Sequence, residues 1–98
     1  MNEVEFKNWM DKNNVNHKVQ SDIISRIKKI EREIENCDID EQYRRDKCNY
    51  LMSLFLNMGL NEKMKKYPNA NFPIGEYYMS TFRYAIKYYV KFCESHSL

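Results

Sequence analysis

Glycine and proline are scarce in this sequence, with two residues of each among 98. These residues form most tight turns, which a multi-stranded sheet needs in number, so the composition argues against an all-β fold. Long apolar runs are missing too, since no segment approaches the roughly 20 residues that span a bilayer. The N-terminus lacks the basic and then apolar order of a signal peptide. We therefore expect one cytoplasmic domain, residues 1–98, without a membrane partner.

Residues suited to catalysis or metal binding are equally few. The cysteines, Cys37, Cys48 and Cys93, are odd in number and widely spaced, which fits neither a disulfide framework nor a paired zinc site. The histidines, His17 and His96, have no carboxylate or cysteine at a local spacing that would orient them as bases or ligands. Glycine-rich phosphate loops and metalloprotease motifs do not occur. We expect buried thiols, exposed histidines, and no enzyme activity, cofactor or metal.

The apolar residues that are present recur at helical spacing. A first helix is predicted over residues 2–13, where three apolar residues share one face: Phe6, Trp9 and Met10. Asn16 is a suitable N-cap for a second helix over residues 17–35. One apolar stripe follows that second helix at spacings of three and four residues: Val19, Ile23, Ile27, Ile30 and Ile34.

A third helix is predicted over residues 41–58. Asp38, followed by Glu41 three residues later, forms a capping-box pattern, and Gly59 lies where a left-handed residue usually ends a helix. The expected core face of this helix contains Tyr43, Cys48, Leu51, Leu54, Phe55 and Met58. Residues 61–67 predict two further helical turns.

A long loop is predicted over residues 68–75, which contain both prolines. A last helix is predicted from Glu76 to about Ser95. Its expected core face contains Tyr78, Phe82, Ala85, Ile86, Tyr89, and Phe92 or Cys93. Together these segments predict an all-α fold, a single compact bundle of four to five helices.

Charge is segregated along the chain, although the net charge is only +2. Acidic residues gather at 35–41, whereas residues 17–34 and 42–67 are basic. On the last helix, cations repeat every four residues beside tyrosines. Such a stripe suits a phosphate backbone, because cations displace counterions and hydroxyls donate hydrogen bonds to phosphate oxygens. The candidate nucleic-acid-binding residues are Lys18, Arg26, Lys29, Arg83, Tyr84, Lys87, Tyr88 and Lys91.

Other interpretations of the same residues stay open. Basic residues opposite an apolar stripe are also the ordinary solvated face of a helix. Eight tyrosines and six methionines suit an interface with another protein. The alternative function is a small protein-interaction module, such as a mobile-element inhibitor that binds a host nuclease or defence protein. Homodimerisation through the last helix is a third possibility.

Three segments together resemble a known family. They read FKNWM at residues 6–10, SDIISRIKKI at residues 21–30 and STFRYAIKYYVKF at residues 80–92. In this order they resemble the N-terminal core-binding domain of tyrosine recombinases (phage integrases), and the similar helical module of some restriction-associated proteins. The resemblance covers most of the chain.

The resemblance implies a SAM-like helical bundle that lies across a DNA duplex and helps to clamp it. It places DNA-facing cations at Lys18 and Arg26 of the second helix, and at Arg83 and Lys87 of the last. The catalytic domain of those recombinases has no counterpart in the chain, so we expect none of the tyrosines to act as a nucleophile. The expected function is non-enzymatic DNA binding, mainly through phosphates, in a phage or mobile element.

Overall fold

The computed structural model describes residues 1–73 and 75–96, and within these ranges the chain is helical, without a β-strand. The α-helices in the described ranges are α1 (Glu3–Lys12), α2 (His17–Glu33), α3 (Ile39–Asp46), α4 (Asn49–Ser53) and α5 (Glu76–Ser95). Short 3-10 helices, Asn57–Gly59 and Met64–Lys66, follow α4. The prediction of an all-α bundle is confirmed, with slightly more helical elements than expected. No helix in the described chain is long and apolar enough to cross a membrane.

The first two helices form an antiparallel pair. Asn16 caps α2 as predicted, since its side-chain oxygen accepts a hydrogen bond of 2.8 Å from the Lys18 amide. Near the turn, Gln20 Nε2 donates to Asp11 Oδ1 at 2.8 Å, and at the far end Lys28 Nζ lies 2.8 Å from Glu3 Oε1. These contacts fix which faces of α1 and α2 meet.

The core lies where α5 packs against this pair. Phe6 of α1 contacts Tyr89 and Phe92 of α5, with ring centroids 4.9 and 5.3 Å apart. Complete burial of such a side chain stabilises the fold by about 1.5–3 kcal/mol. The predicted core face of α5 is confirmed except at Tyr78, which is exposed, while Met79 is buried in its place.

The prediction of one continuous helix over residues 41–58 is wrong. α3 ends at Asp46, where Lys47 and Cys48 adopt the left-handed conformation with φ of 57° and 64°. The Lys47 amide donates to the Tyr43 carbonyl at 2.8 Å, which is the αL pattern of a helix end, and the Cys48 amide donates to the Gln42 carbonyl at 3.1 Å. This left-handed position is usually held by glycine. Because it is a lysine here, the sequence did not indicate that the helix ends.

The chain after the break keeps most of the expected core. Five of the six predicted apolar positions are buried: Tyr43, Cys48, Leu51, Leu54 and Phe55. Met58 is exposed, contrary to the prediction, because the helix that would have turned it inward ends at Ser53. The two helical turns expected over residues 61–67 are reduced to the 3-10 helix Met64–Lys66.

The predicted long loop is fixed onto the bundle at two points. The Asn71 amide donates to Glu33 Oε1 at 2.8 Å, which joins the loop to the end of α2. Phe72 packs edge-on against Phe55 and Phe82, with ring centroids 5.3 and 5.1 Å away. Ile74, which the sequence places in this loop, lies outside the described residues.

Candidate nucleic-acid interface

A basic hollow opens between α1 and α2. Its volume is about 590 Å³, and its lining contains four cations, which are Lys7 of α1 and Lys28, Lys29 and Arg32 of α2. The hydroxyl-bearing residues Ser21 and Ser25 and a single carboxylate, Glu3, complete its polar lining. Cations and hydroxyl groups on one concave surface are the side chains that contact phosphate oxygens.

The one carboxylate in the basic hollow is already shared by two of the cations. Glu3 lies 2.8 Å from Lys28 Nζ and 3.3 Å from Lys7 Nζ. Hydrogen bonds from Lys28, the larger contribution, and from Lys7 lower the pKa of the Glu3 carboxyl below its usual value. Glu3 therefore stays ionised at neutral pH. A second carboxylate, Glu33, lies outside the lining and pairs with Arg32, with Oε2 3.4 Å from Nε. The two carboxylates neutralise part of the hollow, and four cations against two carboxylates leave it positive.

Of these four cations, only Lys29 is among the site residues predicted from the sequence. Lys29 is half-buried, and its Nζ also lies 6.0 Å from the centroid of the Phe72 ring. Lys28 and Arg32 lie on the same helix as Lys29, and Arg32 is a basic residue opposite the isoleucine stripe, but neither is among the predicted site residues. Lys7 was missed because helical periodicity describes one helix at a time. The short connection between α1 and α2 was the available signal, since it predicts antiparallel neighbours and thus places Lys7 beside α2.

A second concavity, the tyrosine groove, lies on the other flank of α2, where α2 meets α5. Its volume is about 460 Å³. Arg26 and Tyr84, both predicted site residues, line this groove together with Tyr77. Arg26 Nη1 donates to the Asp22 carbonyl at 3.2 Å, and no carboxylate among the described residues pairs with its guanidinium. The groove is thus aromatic, with one cation and one carboxylate, Asp22, at its wall.

Lys18, Lys87 and Lys91 lie on exposed helix surfaces. Lys18 Nζ is 4.0 Å from Asp22 Oδ2, one turn along α2, which is a solvated pair of low energy. Lys91 Nζ lies 5.7 Å from the centroid of the Tyr88 ring, and Tyr88 itself packs edge-on against Trp9. Lys87 is exposed and has no ion pair within the described chain. Lys87 and Lys91 therefore offer cations on the outer face of α5.

Arg83 is placed differently from its predicted partners on α5. Its side chain is only 18% exposed, and its guanidinium donates to the Phe55 carbonyl and to the Glu76 carboxylate. These contacts fasten the segment after α4 onto α5. They favour a structural role for Arg83, because a guanidinium with two internal acceptors has fewer donors left for a phosphate.

Residues 56–60, the apolar loop, are the most unusual surface of the molecule. Leu56, Met58 and Leu60 are 51%, 44% and 57% exposed. The backbone that presents them is left-handed at Asn57, Met58 and Gly59 in succession. At Gly59 a Cβ would lie 3.0 Å from Met79 Sδ, so a larger residue there would require the Met79 side chain to shift, besides the strain of its φ of 78°.

Side-chain hydrogen bonds hold the apolar loop in this shape. Asn61 Nδ2 donates to the Leu54 and Leu56 carbonyls at 3.0 and 2.9 Å, and Asn57 Nδ2 donates to the Leu60 carbonyl at 3.1 Å. The loop is thus fixed with its apolar side chains towards solvent, an arrangement that marks many protein-interaction surfaces.

The cysteines and histidines form no cluster suited to binding a metal within residues 1–73 and 75–96. Cys48 and Cys93 are buried as predicted, Cys37 is half-buried, and burial raises the pKa of each thiol to about 12. His17 and His96 are exposed as predicted. The fold does bring Asp11 to His17, with Oδ1 3.1 Å from Nε2, a contact that local spacing did not indicate.

Fold and surface together define a small all-helical protein with a cationic pair of helices, a tyrosine-lined groove and a fixed apolar loop. No protein-family profile matches the chain, and no curated protein or solved structure is significantly similar to it.

Proposed function

We propose that the chain binds duplex DNA through its phosphates, with the basic hollow as the principal contact surface. The observation that carries this proposal is the convergence of four cations from two helices on one concavity that contains a single carboxylate. Neighbouring cations favour binding because each neutralised phosphate releases condensed counterions. Contacts of this kind fix the position of a protein on DNA but read little sequence.

The predicted residues take different parts in this proposal. Lys29 belongs to the basic hollow, while Lys18 and Arg26 extend the cationic surface along the same helix. Lys87 and Lys91, with Tyr84 and Tyr88 beside them, offer a second contact from α5. The resemblance to the core-binding domain of tyrosine recombinases agrees with such a surface, because a module that clamps a duplex needs cations on its helices and no catalytic group.

Fluorescence polarisation with a short random duplex across a salt series tests the proposal. Three to four phosphate contacts predict that log affinity falls against log salt with a slope of about −3 to −4. The double variant Lys28→Glu, Arg32→Glu should lose at least about ten-fold in affinity and show a shallower slope, because it reverses two of the four cations. Glu3→Gln should bind more tightly than the wild type, since it removes the carboxylate that Lys7 and Lys28 share.

The matched control makes the same charge change away from the basic hollow, at Lys65→Glu and Lys66→Glu. It should lose clearly less affinity than the hollow variant. Equal losses of DNA affinity in both variants would show that only the net charge of the protein matters. The basic hollow would then not be a specific DNA-binding surface. Lys87→Glu with Lys91→Glu then shows whether the outer face of α5 also contacts DNA.

The apolar loop favours a second candidate function, a protein-interaction module. Three apolar side chains, of Leu56, Met58 and Leu60, contact water in the monomer, and a protein partner that covered them would remove that cost. This function predicts a 1:1 complex that survives salt concentrations at which DNA is released. Leu56→Ser with Leu60→Ser should abolish such a complex and leave the DNA salt series unchanged.

A further inference from the structure

The tyrosine groove has the dimensions of a site for a flat aromatic group. Tyr77 and Tyr84 are seven residues apart on α5, which separates their backbones by about 10.5 Å along the helix axis. A flat ring in contact with both tyrosine rings needs about 7–8 Å between them, that is, two contacts of 3.5–4.0 Å. The backbone spacing therefore exceeds what one planar ring system requires, while each ring packs on one side against a tyrosine outside the groove: Tyr77 against Tyr78 and Tyr84 against Tyr88, with centroids 5.3 and 4.9 Å apart.

The opposite wall of the groove offers hydrogen-bonding groups of both kinds. Asp22 supplies a carboxylate acceptor and Arg26 supplies guanidinium donors, both from α2. Ser80 and Thr81 line the groove between the tyrosines, and their hydroxyls donate to the Tyr77 and Tyr78 carbonyls. Each hydroxyl oxygen therefore keeps lone pairs that can accept a hydrogen bond. A ring whose edge carries both donors and acceptors matches this lining better than a purely apolar group does.

The groove also has a cationic neighbourhood that suits a phosphate-linked ligand. α2 forms one wall of the tyrosine groove and one wall of the basic hollow, so the two concavities flank the same helix. Arg26 brings a positive charge to the groove wall, and Lys18 lies two turns away on the same helix. A nucleotide combines a flat, hydrogen-bonding ring with a negative phosphate. The tyrosine groove complements the ring, and the basic hollow complements the phosphate.

We propose that the tyrosine groove binds an unstacked nucleobase, with Tyr77 and Tyr84 stacking on its faces, while the phosphates of the same strand lie along α2. This inference rests on the proposed function, since the basic hollow supplies most of the affinity for the strand. It adds a preference that phosphate contacts alone do not give. DNA with an unpaired nucleotide binds more tightly than a perfect duplex of the same charge.

The experiment compares three DNA hairpins, each closed by the same linker without bases, in fluorescence polarisation: a perfect stem, a stem with one bulged 2-aminopurine, and the same bulge with an abasic site. Base stacking on an aromatic side chain contributes about 1–3 kcal/mol, so the 2-aminopurine bulge should bind about ten-fold more tightly than the other two hairpins. Quenching of the 2-aminopurine fluorescence on binding gives an independent readout of stacking. Tyr84→Ala and Tyr77→Ala should each abolish the preference and reduce the quenching, while Tyr84→Phe should retain both.

Tyr78 provides the matched control. It is 46% exposed against 47% for Tyr84, it lies on the same helix, and it does not line the groove. The Tyr78 ring packs against the Tyr77 ring with centroids 5.3 Å apart, so the control variant is Tyr78→Leu, which keeps an apolar packing partner and should bind all three hairpins as the wild type does. Equal, salt-dependent binding of the three hairpins without quenching would overturn the nucleobase site and leave the proposed function standing. Failure to bind any hairpin at low salt would overturn both.

Discussion

Two regions of this small domain are held together by different means. In α1, α2 and α5, which we call the helical half, apolar stripes meet in a core and the turns are short. In residues 46–67, which we call the turn-rich half, the chain changes direction several times. Four residues other than glycine adopt positive φ there: Lys47, Cys48, Asn57 and Met58.

The difference lies in which groups stabilise each region. In the helical half, backbone hydrogen bonds are made within helices and buried apolar surface supplies most of the stability. In the turn-rich half, side chains supply many of the partners that backbone groups need. Asp46 Oδ2 accepts from the Tyr50 amide at 2.9 Å, and Asn61 and Arg83 donate to loop carbonyls. A region that is fixed by such polar contacts can present apolar side chains to solvent, as the apolar loop does.

The largest expected effects test whether the two halves unfold as one unit. Ile27 of the helical half and Leu54 of the turn-rich half are both fully buried. Replacing either with alanine should lower the free energy of unfolding by about 2–5 kcal/mol, because each substitution leaves a cavity in the core. Urea unfolding followed by Trp9 fluorescence and by far-ultraviolet circular dichroism measures both effects.

The two probes should give coincident transitions in both variants if the domain is cooperative. Val4→Ala is the control, since Val4 is exposed and its truncation should change little. A Leu54→Ala variant in which circular dichroism changes before Trp9 fluorescence would show that the turn-rich half unfolds separately.

Arg83 forms a polar contact between the two halves. Its replacement should have the next largest effect on the free energy of unfolding. Arg83→Met keeps much of the apolar stem but leaves the Phe55 carbonyl without its charged donor. Hydrogen bonds to charged groups contribute about 1.5–3 kcal/mol, so we expect a loss of about 2 kcal/mol in the free energy of unfolding. Lys87→Met, one turn further along α5, is the matched control and should change stability by less than about 0.5 kcal/mol. Equal changes of stability in the two variants would show that the contacts of Arg83 stabilise the fold no more than an exposed lysine does.

The same comparison explains how far the sequence predicted the structure. α2 and α5 were predicted closely because a regular helix repeats its buried positions every three or four residues. The break at Lys47 was missed because its left-handed conformation is held by hydrogen bonds from the Lys47 and Cys48 amides to α3 carbonyls and by the Asp46 cap, without a glycine to mark it. For the candidate site, one-helix periodicity found Arg26, Lys29 and Tyr84 but could not show that Lys7 approaches α2.

Glycine substitutions in the two halves should change the free energy of unfolding in opposite directions. Lys47 has a φ of 57°, a conformation that costs a residue with a Cβ about 1 kcal/mol and glycine almost nothing. Lys47→Gly should therefore raise the free energy of unfolding by about 0.5 kcal/mol, after the greater flexibility of glycine in the unfolded chain is counted. Lys87→Gly, within α5, should lower it by about 1 kcal/mol. Urea midpoints compare the two variants, and effects of the same sign would contradict the strain at Lys47.

The smallest predicted effect concerns the amino terminus, which joins the helical half to the start of α3. The Met1 ammonium lies 3.3 Å from Glu31 Oε2 and 3.3 Å from Asp40 Oδ2, and the Tyr89 hydroxyl donates to Asp40. Burial lowers the pKa of this amino group, but the two carboxylates outweigh burial, and the net pKa is raised above its ordinary value of 8.0. The ion pairs therefore stabilise the fold while the amino group is protonated.

Because the folded pKa is the higher one, this contribution is complete below the unfolded value and is lost as pH rises through the folded value. Asp40→Asn should lower the urea midpoint at about pH 7, and the difference from the wild type should narrow as pH rises from the ordinary value of 8.0 through the raised pKa of the folded amino group. Asp40 contributes to the raised pKa of the buried Cys48 and Cys93 thiols, which burial mainly raises to about 12. Because both thiols stay protonated in the folded protein well below that pH, their effect on stability is nearly the same in the two proteins over the range compared. A difference between the two proteins that stays constant with pH would show that Asp40 acts through the Tyr89 hydroxyl instead of the Met1 ammonium.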